Sequence, residues 1–328
     1  MESEADGMYR ALLRSFYPVF FASSLLVQAI VQLLIFRFTP ANMAIMKMIL
    51  ANTHICQMIV MMICVGCQFR MISTAIPIEL RSYGPLRVLE AYIGYSMHQA
   101  MQFFLYMSGM SIIVTFYYKY ATIKGAHMSR FLMLKIFLVF HIPVIISAVV
   151  EIIMVVNQSL PAEVRQKYAL LNANVEDYSV IGVLSLQSIP SRINFILMCG
   201  SVFLYPLISF IFRSLILKIV NEHMENVSDI RKRAHRSFVT GLTIQALLPL
   251  FFYTPVFALY VYVVFTHEEI LFQQYTMYLS IALPAFFDPL ITLYFVIPYR
   301  VLLKRWLRIR TNQPKVATNT STVSVVLL

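Results

Sequence analysis

Long apolar stretches alternate along the chain with short charged ones. Stretches poor in Asp, Glu, Lys and Arg run over residues 17–36, 48–69, 91–118, 131–156, 193–212, 237–266 and 270–299. A membrane helix needs about 20 such residues at a rise of 1.5 Å each. The pattern therefore predicts an all-α integral membrane protein. Its fold is a seven-transmembrane helix bundle filling 1–310, with little chain left for a soluble domain. The fourth stretch has the least sharp ends, with Lys135 and Glu151 near them. The first is preceded by Glu2, Glu4 and Asp6 rather than by a basic n-region, so it is read as an uncleaved helix. After the last span, residues 301–310 mix apolar side chains with Lys304, Arg305, Arg308 and Arg310 around the single Trp306. This predicts an interfacial helix whose cations meet membrane lipid. Residues 311–328 are rich in Thr, Ser and Val and are expected to form a disordered tail.

Composition and charge sharpen this picture. The chain is 59% hydrophobic and 12% charged, against roughly 45–50% and about 25% in soluble domains. That excludes a disordered chain and a single soluble domain. A net charge of +11 would point to nucleic acid in a soluble protein. Here the cations are sorted instead. Of the 26 basic residues, 18 fall in alternate loops and the C-terminal segment. Positive residues mark the cytoplasmic side. The N-terminus is thus expected outside and the C-terminus inside, with no nucleic-acid partner.

Little suggests catalysis. There is no His-Glu-x-x-His and no glycine-rich phosphate loop. The histidines, among them His54, His98 and His141, are scattered without metal-ligand spacing. No enzyme activity, cofactor or metal is expected. Cys56, Cys64, Cys67 and Cys199 all fall in or beside spans, so no disulfide is expected to staple the outer loops. The sequon at Asn157 begins where the fourth span ends, too near the bilayer for a good sugar acceptor.

Several features carry chemistry. Asp288 is the one deep acid, roughly 14 Å from the inner end of span seven at 1.5 Å per residue, and Pro289 follows it. An intramembrane acid points to function, and the proline is expected to make a kink or hinge. Asn52 and Ser111 fall in the same layer, with Asn52 the first candidate partner for Asp288. Tyr294 belongs to the same run. At the inner end of span three stands Tyr118-Lys119-Tyr120. At the foot of span six stand Arg231, Lys232, Arg233 and Arg236, below Pro249 and Pro255, which should bend that helix.

The run Ile78-Glu-Leu-Arg-Ser-Tyr83-Gly84-Pro85, the Tyr118-Lys119-Tyr120 end, and Pro284 with Asp288-Pro289 through Pro298-Tyr299-Arg300 resemble the nematode serpentine chemoreceptors. The nearest likeness is to the delta class (Srd) of the Str-type superfamily, over about residues 9–310. The resemblance implies a G-protein-coupled chemosensory receptor in the plasma membrane, in the sensory cilium of chemosensory neurons. It places a G-protein contact at Lys119, and the cations at the foot of span six, Arg231, Lys232, Arg233 and Arg236, offer a contact surface for the same cytoplasmic partner. Lys119 stands where the family usually has Arg, and Leu86 where many members have Cys. The ligand cleft would lie in the outer halves of spans three, five, six and seven. Candidates at that depth are Tyr92, Tyr95, His98, Gln99, Gln102, Asn194, Phe257, Tyr260, Tyr275 and Tyr278. No acid or base lies deep in those halves, so a small neutral or weakly polar ligand is expected. The rival readings are a ligand-gated channel or transport protein, and a non-signalling trafficking partner. A channel is poorly supplied with polar lining, and the two halves of the chain show no repeat.

Overall fold

A computed structural model describes residues 4–39, 43–72, 78–126, 128–158, 178–185, 187–222 and 229–306. The expected tail and the end of the interfacial helix, 307–328, lie outside these residues. Helix α1 covers Glu4–Phe38, α2 Ala44–Cys67 and α3 Ala91–Ile123. Helices α4 (Arg130–Phe140) and α5 (Ile142–Gln158) follow, then α6 (Ile189–Glu222) and α7 (Asp229–Thr266). The chain closes with α8 (Leu271–Ala282), α9 (Pro284–Phe295) and α10 (Ile297–Trp306). Among the described residues six helices are long and apolar enough to cross a membrane, or seven when the bent pair α4–α5 counts as one span. Several helices outrun the apolar stretches that announced them. Charge marks the edge of the lipid, whereas helical hydrogen bonding continues past it.

Two prolines explain the broken spans. The fourth was expected as one helix but bends by 48° at His141. Pro143 supplies no N–H to Val139, and His141 Nδ1 lies 2.7 Å from the Phe137 carbonyl instead. In the seventh span the expected hinge at Pro289 is not where the helix breaks. The break falls at Leu283, ahead of Pro284, and Pro289 lies inside α9. Pro289 still leaves the Ala285 carbonyl without its helical partner. Gln28 of α1 fills the gap, its Nε2 donating to Ala285 O at 2.8 Å. Likewise α7 runs unbroken through Pro249 and Pro255.

The loops hold a small sheet that the apolar pattern did not announce. Strands β1 (Phe69–Ile72), β2 (Ile78–Ser82) and β3 (Ser179–Leu184) pair antiparallel in the order β1-β2-β3. Phe69, expected as the end of span two, is the first residue of β1. Ile78, Leu80 and Ser82 are buried while Glu79 and Arg81 are half-buried, the period-two pattern of a sheet with one covered face. The motif Tyr83-Gly84-Pro85 joins this sheet to the bundle. Gly84 N donates to Cys67 O at 2.8 Å. A Cβ on Gly84 would sit 2.2 Å from the Gly66 carbonyl oxygen, so no side chain fits there. Gly182 does the same for β3, since a Cβ there would lie 2.1 Å from the Tyr95 ring.

One core gathers under the sheet, with Met61, Cys64, Tyr95, Met101 and Tyr278 among its members. A second, holding Val31, Leu34, Phe116, Ile216 and Leu242, gathers at the Trp306 end. Outside them Leu26, Leu33, Ile152, Val156, Phe203 and Leu207 are exposed, as lipid-facing positions of a membrane bundle should be.

Candidate functional site

The sheet roofs a cavity among α3, α5, α6, α7 and α8. Met71 of β1 and Leu184 of β3 close it from above. Gln102, Asn194, Phe257, Tyr260 and Tyr278, all expected at ligand depth, line it. Met101, Met154, Phe195 and Met277 supply much of the remaining wall and lay outside the sequence candidates. The lining is thus mostly apolar with a few placed polar groups, the usual make-up of a small-molecule site.

The other candidates lie elsewhere. Tyr92 is 54% exposed and faces away from the bundle, because it sits on the outer side of the first turn of α3. Tyr95 is buried beneath β3, its hydroxyl 3.4 Å from Val183 O. His98 is fully buried behind the cavity and joins two of its walls. Its Nε2 lies 2.9 Å from the Tyr278 hydroxyl and 3.5 Å from Gln102 Nε2. Gln99 Nε2 lies 3.3 Å from His98 Nδ1.

Tyr275 belongs to a different cluster, at the edge of the sheet. Arg70 of β1, which counted in sequence only as a loop charge, is buried there with Asp6 of α1. Its Nη1 lies 2.9 Å from Asp6 Oδ1 and donates to Tyr275 Oη at 2.6 Å. Its Nε and Nη2 donate to Gln274 Oε1 at 3.0 and 2.7 Å. Tyr275 donates in turn to Asp6 Oδ1 at 2.7 Å. Asp6 is thereby a partner of the sheet, not merely an acid ahead of the first span. On the neighbouring strand, burial works against the charged form of Arg81. The hydrogen bonds and charge of Glu79 more than offset this and hold the guanidinium above its ordinary range.

A second cavity continues deeper and shares Gln102, Leu105, Met198, Phe257 and Ile281 with the first. Asp288 lies on its wall and is fully buried. Its partner is not Asn52. Gln57 of α2 donates from Nε2 to Asp288 Oδ2, while Asn52 donates to Ser111 Oγ at 2.7 Å. Gln57 lies five residues beyond Asn52, and it is the residue α2 carries to the height of Asp288. Gln245 of α7 extends the layer, donating from Nε2 to Thr292 Oγ1 at 2.8 Å. Thr292 Oγ1 lies 3.3 Å from His54 Nε2. Gln57, Gln245, Thr292 and His54 were missed as a group. Their signal was polarity inside apolar spans, which says that a residue needs a partner but not which one.

At the Trp306 end, Lys119 is buried rather than snorkelling, its Nζ 5.4 Å from the centroid of Phe238 on α7. Tyr120 is half-buried, 6.1 Å from Phe212, and Tyr118 is half-buried in the core beside Ile49 and Val114. Arg236 donates to Asn221 Oδ1 at 2.8 Å, tying α7 to α6. Lys232 is half-buried and Arg233 exposed, and the Arg231 side chain lies outside the described residues. Tyr294 is 61% exposed and turned away from the Asp288 layer. Asn157 is exposed in the last turn of α5, and the sequon's Ser159 lies outside the described residues.

Apolar spans packed around a roofed cavity, with a polar layer beneath it, have the build of a multi-pass membrane receptor. The comparisons agree. Residues 13–305 match the family described as serpentine type 7TM GPCR chemoreceptor Srd, and the chain belongs to that family. Serpentine receptor class delta-40 of Caenorhabditis elegans is 51% identical over 316 residues, covering 96% of this chain and 98% of that protein. Serpentine receptor class delta-47 of the same organism is 35% identical over 300 residues, covering 92% and 95%.

Proposed function

We propose that this receptor binds a small neutral or weakly polar molecule in the roofed cavity and passes the event to a cytoplasmic heterotrimeric G protein. The observation that carries the reading is the continuity of the two cavities, from the sheet down to Asp288. A ligand under the sheet would touch α3, α6 and α7, whose other ends carry Lys119, Asn221 and Phe238, and α8, which leads into α9 and its Asp288 layer. Binding one arrangement of those helices better than another shifts the population between them. Movement of α7 would break the Lys119–Phe238 contact and open a cleft bordered by Lys119, Arg231, Lys232, Arg233 and Arg236. The sheet end then faces outward and α10 lies along the cytoplasmic leaflet, in keeping with the sorted cations. Residence in the cilium of a chemosensory neuron follows from the family's expected role.

The test is calcium signalling in cells that co-express the full chain and a promiscuous G protein, screened with a broad library of volatiles and metabolites. A responding ligand should lose its effect in Met277→Trp, which fills the cavity, while surface expression persists. An undiminished response would move the ligand site elsewhere, and current without any G protein would favour a channel. An N-terminal tag should stain on intact cells, and staining only after permeabilisation would invert the topology.

A further inference from the structure

We propose that the ligand of the roofed cavity carries a neutral hydrogen-bond donor, a hydroxyl or ring N–H, which is received by Oδ1 of Asn194. The proposal rests on the reading that this cavity is the ligand site, and it narrows the chemical class that fits there.

Asn194 is 5% exposed and lies on the cavity wall. Its amide is half used. Nδ2 donates to Gln102 Oε1 at 2.7 Å, while Oδ1 has no hydrogen-bond partner among the described residues. The Gln102 oxygen fixes which end of the amide turns away from it, because the reverse would set oxygen against oxygen. The open end is thus a buried acceptor, and an unmade hydrogen bond there is costly. A ligand with an O–H or N–H completes the set, and a ligand of the same shape without one leaves the acceptor stranded. Sites built to hold a substrate O–H or N–H reject the analogue that lacks it far more strongly than apolar pockets reject a missing methylene. A full cation is disfavoured, since no carboxylate among the described residues lines this cavity, and an anion would face the amide oxygen. The rest of the molecule meets Met101, Met277, Phe195 and Phe257, thioethers and rings that pack well on an unsaturated body.

The same amide starts a polar chain. From Asn194 it runs to Gln102, then to His98, and from His98 Nε2 to the Tyr278 hydroxyl at 2.9 Å. It links α6 to α3 and α8. Occupying Oδ1 therefore fixes an amide whose other end holds three helices in register, so the acceptor that selects the ligand also reports it.

The experiment uses the purified full-length receptor in lipid nanodiscs and reads ligand affinity from thermal stabilisation. The probes are benzyl alcohol, 2-phenylethanol and indole, each beside its methylated counterpart: benzyl methyl ether, 2-phenylethyl methyl ether and 1-methylindole. At least one donor probe should bind about tenfold or more tightly than its methylated partner. That preference should vanish in Asn194→Leu, and binding of both members should vanish in Met277→Trp. Equal binding within every pair, lost in Met277→Trp, overturns the donor rule and leaves the cavity as the site. No binding by any probe, or binding untouched by Met277→Trp, overturns the cavity reading and this inference with it. Should Asn194→Leu fail to fold, the paired comparison on the unmutated receptor still decides.

Discussion

Replacing Arg70 with Met removes the centre of the cluster that joins α1, the sheet and α8. Arg70 is 6% exposed, and its loss gives up the ion pair with Asp6 and the hydrogen bonds to Gln274 and Tyr275. Breaking a buried pair from one side costs about 3–5 kcal/mol, since the remaining charge is left uncompensated. Asp6 is not abandoned here, because Arg10 stays 2.9 Å from its Oδ2 and Tyr275 still donates to it. We therefore expect a loss of about 2–3 kcal/mol, or roughly 4–6 °C at about 2 °C per kcal/mol for a chain of this size. The protein carries its own reporter. Cys56, Cys64 and Cys67 are buried in α2, so a thiol-reactive dye follows unfolding in nanodiscs without added label. Asp6→Asn combined with Arg70→Met should cost less than the sum of the two single changes, with a coupling of roughly 1–2 kcal/mol. A melting point for Arg70→Met within about 1 °C of the parent, or strictly additive losses, would refute the argument that the pair is coupled through burial.

Further outcomes follow from close contacts elsewhere. Gly84→Ala pushes a Cβ into the Gly66 carbonyl and should sharply reduce surface expression, read by flow cytometry, whereas Gly7→Ala, with open space around it, should not. Gln28→Leu strands the Ala285 carbonyl in an apolar surrounding and should cost about 1–3 kcal/mol in the same melt. A change under about 0.5 kcal/mol would mean that the carbonyl finds another donor. Asp288→Asn keeps an acceptor for Gln57 and should fold and reach the surface normally, yet change the dose response. Unaltered coupling in that variant would remove Asp288 from the switch.

The spans could be read from the sequence because the bilayer imposes one rule on every stretch of backbone, and a run of apolar residues satisfies it anywhere in the chain. The breaks were harder. Three prolines near the end of the bundle looked alike in sequence, and whether one stops the helix depends on who accepts its missing donor's role. Gln28 rescues the carbonyl freed by Pro289, and the break falls ahead of Pro284 instead. The sheet was illegible for a different reason. Phe69–Ile72 and Ile78–Ser82 are too short to outweigh the spans beside them, and β3 is brought to them only by the fold. Depth counted from the ends of the apolar stretches set α2 about five residues out of step with the last span, so Asn52, which bonds Ser111, was matched to Asp288 and Gln57 was passed over. Depth also says nothing of azimuth, so Tyr92 stood beside Gln102 as a ligand candidate, although only one of them faces inward.

Side chains from three different helices hold the main chain of the last span as well as its side chains. Gln28 of α1 donates to Ala285 O at 2.8 Å, Cys64 of α2 to Tyr278 O at 3.2 Å, and Tyr253 of α7 to Ile281 O at 3.3 Å. Main-chain acceptors are fixed in position and do not follow a rotating side chain. Turning or sliding the last span therefore strains all three bonds at once, and a small displacement loses them before new ones form. Such a helix works like a latch with several teeth. It rests in one setting or jumps to another, and the intermediate positions are the expensive ones. In the proposed signalling, a stimulus too weak to clear all the teeth would produce no partial signal, and this attachment would give the bundle a threshold as well as a shape.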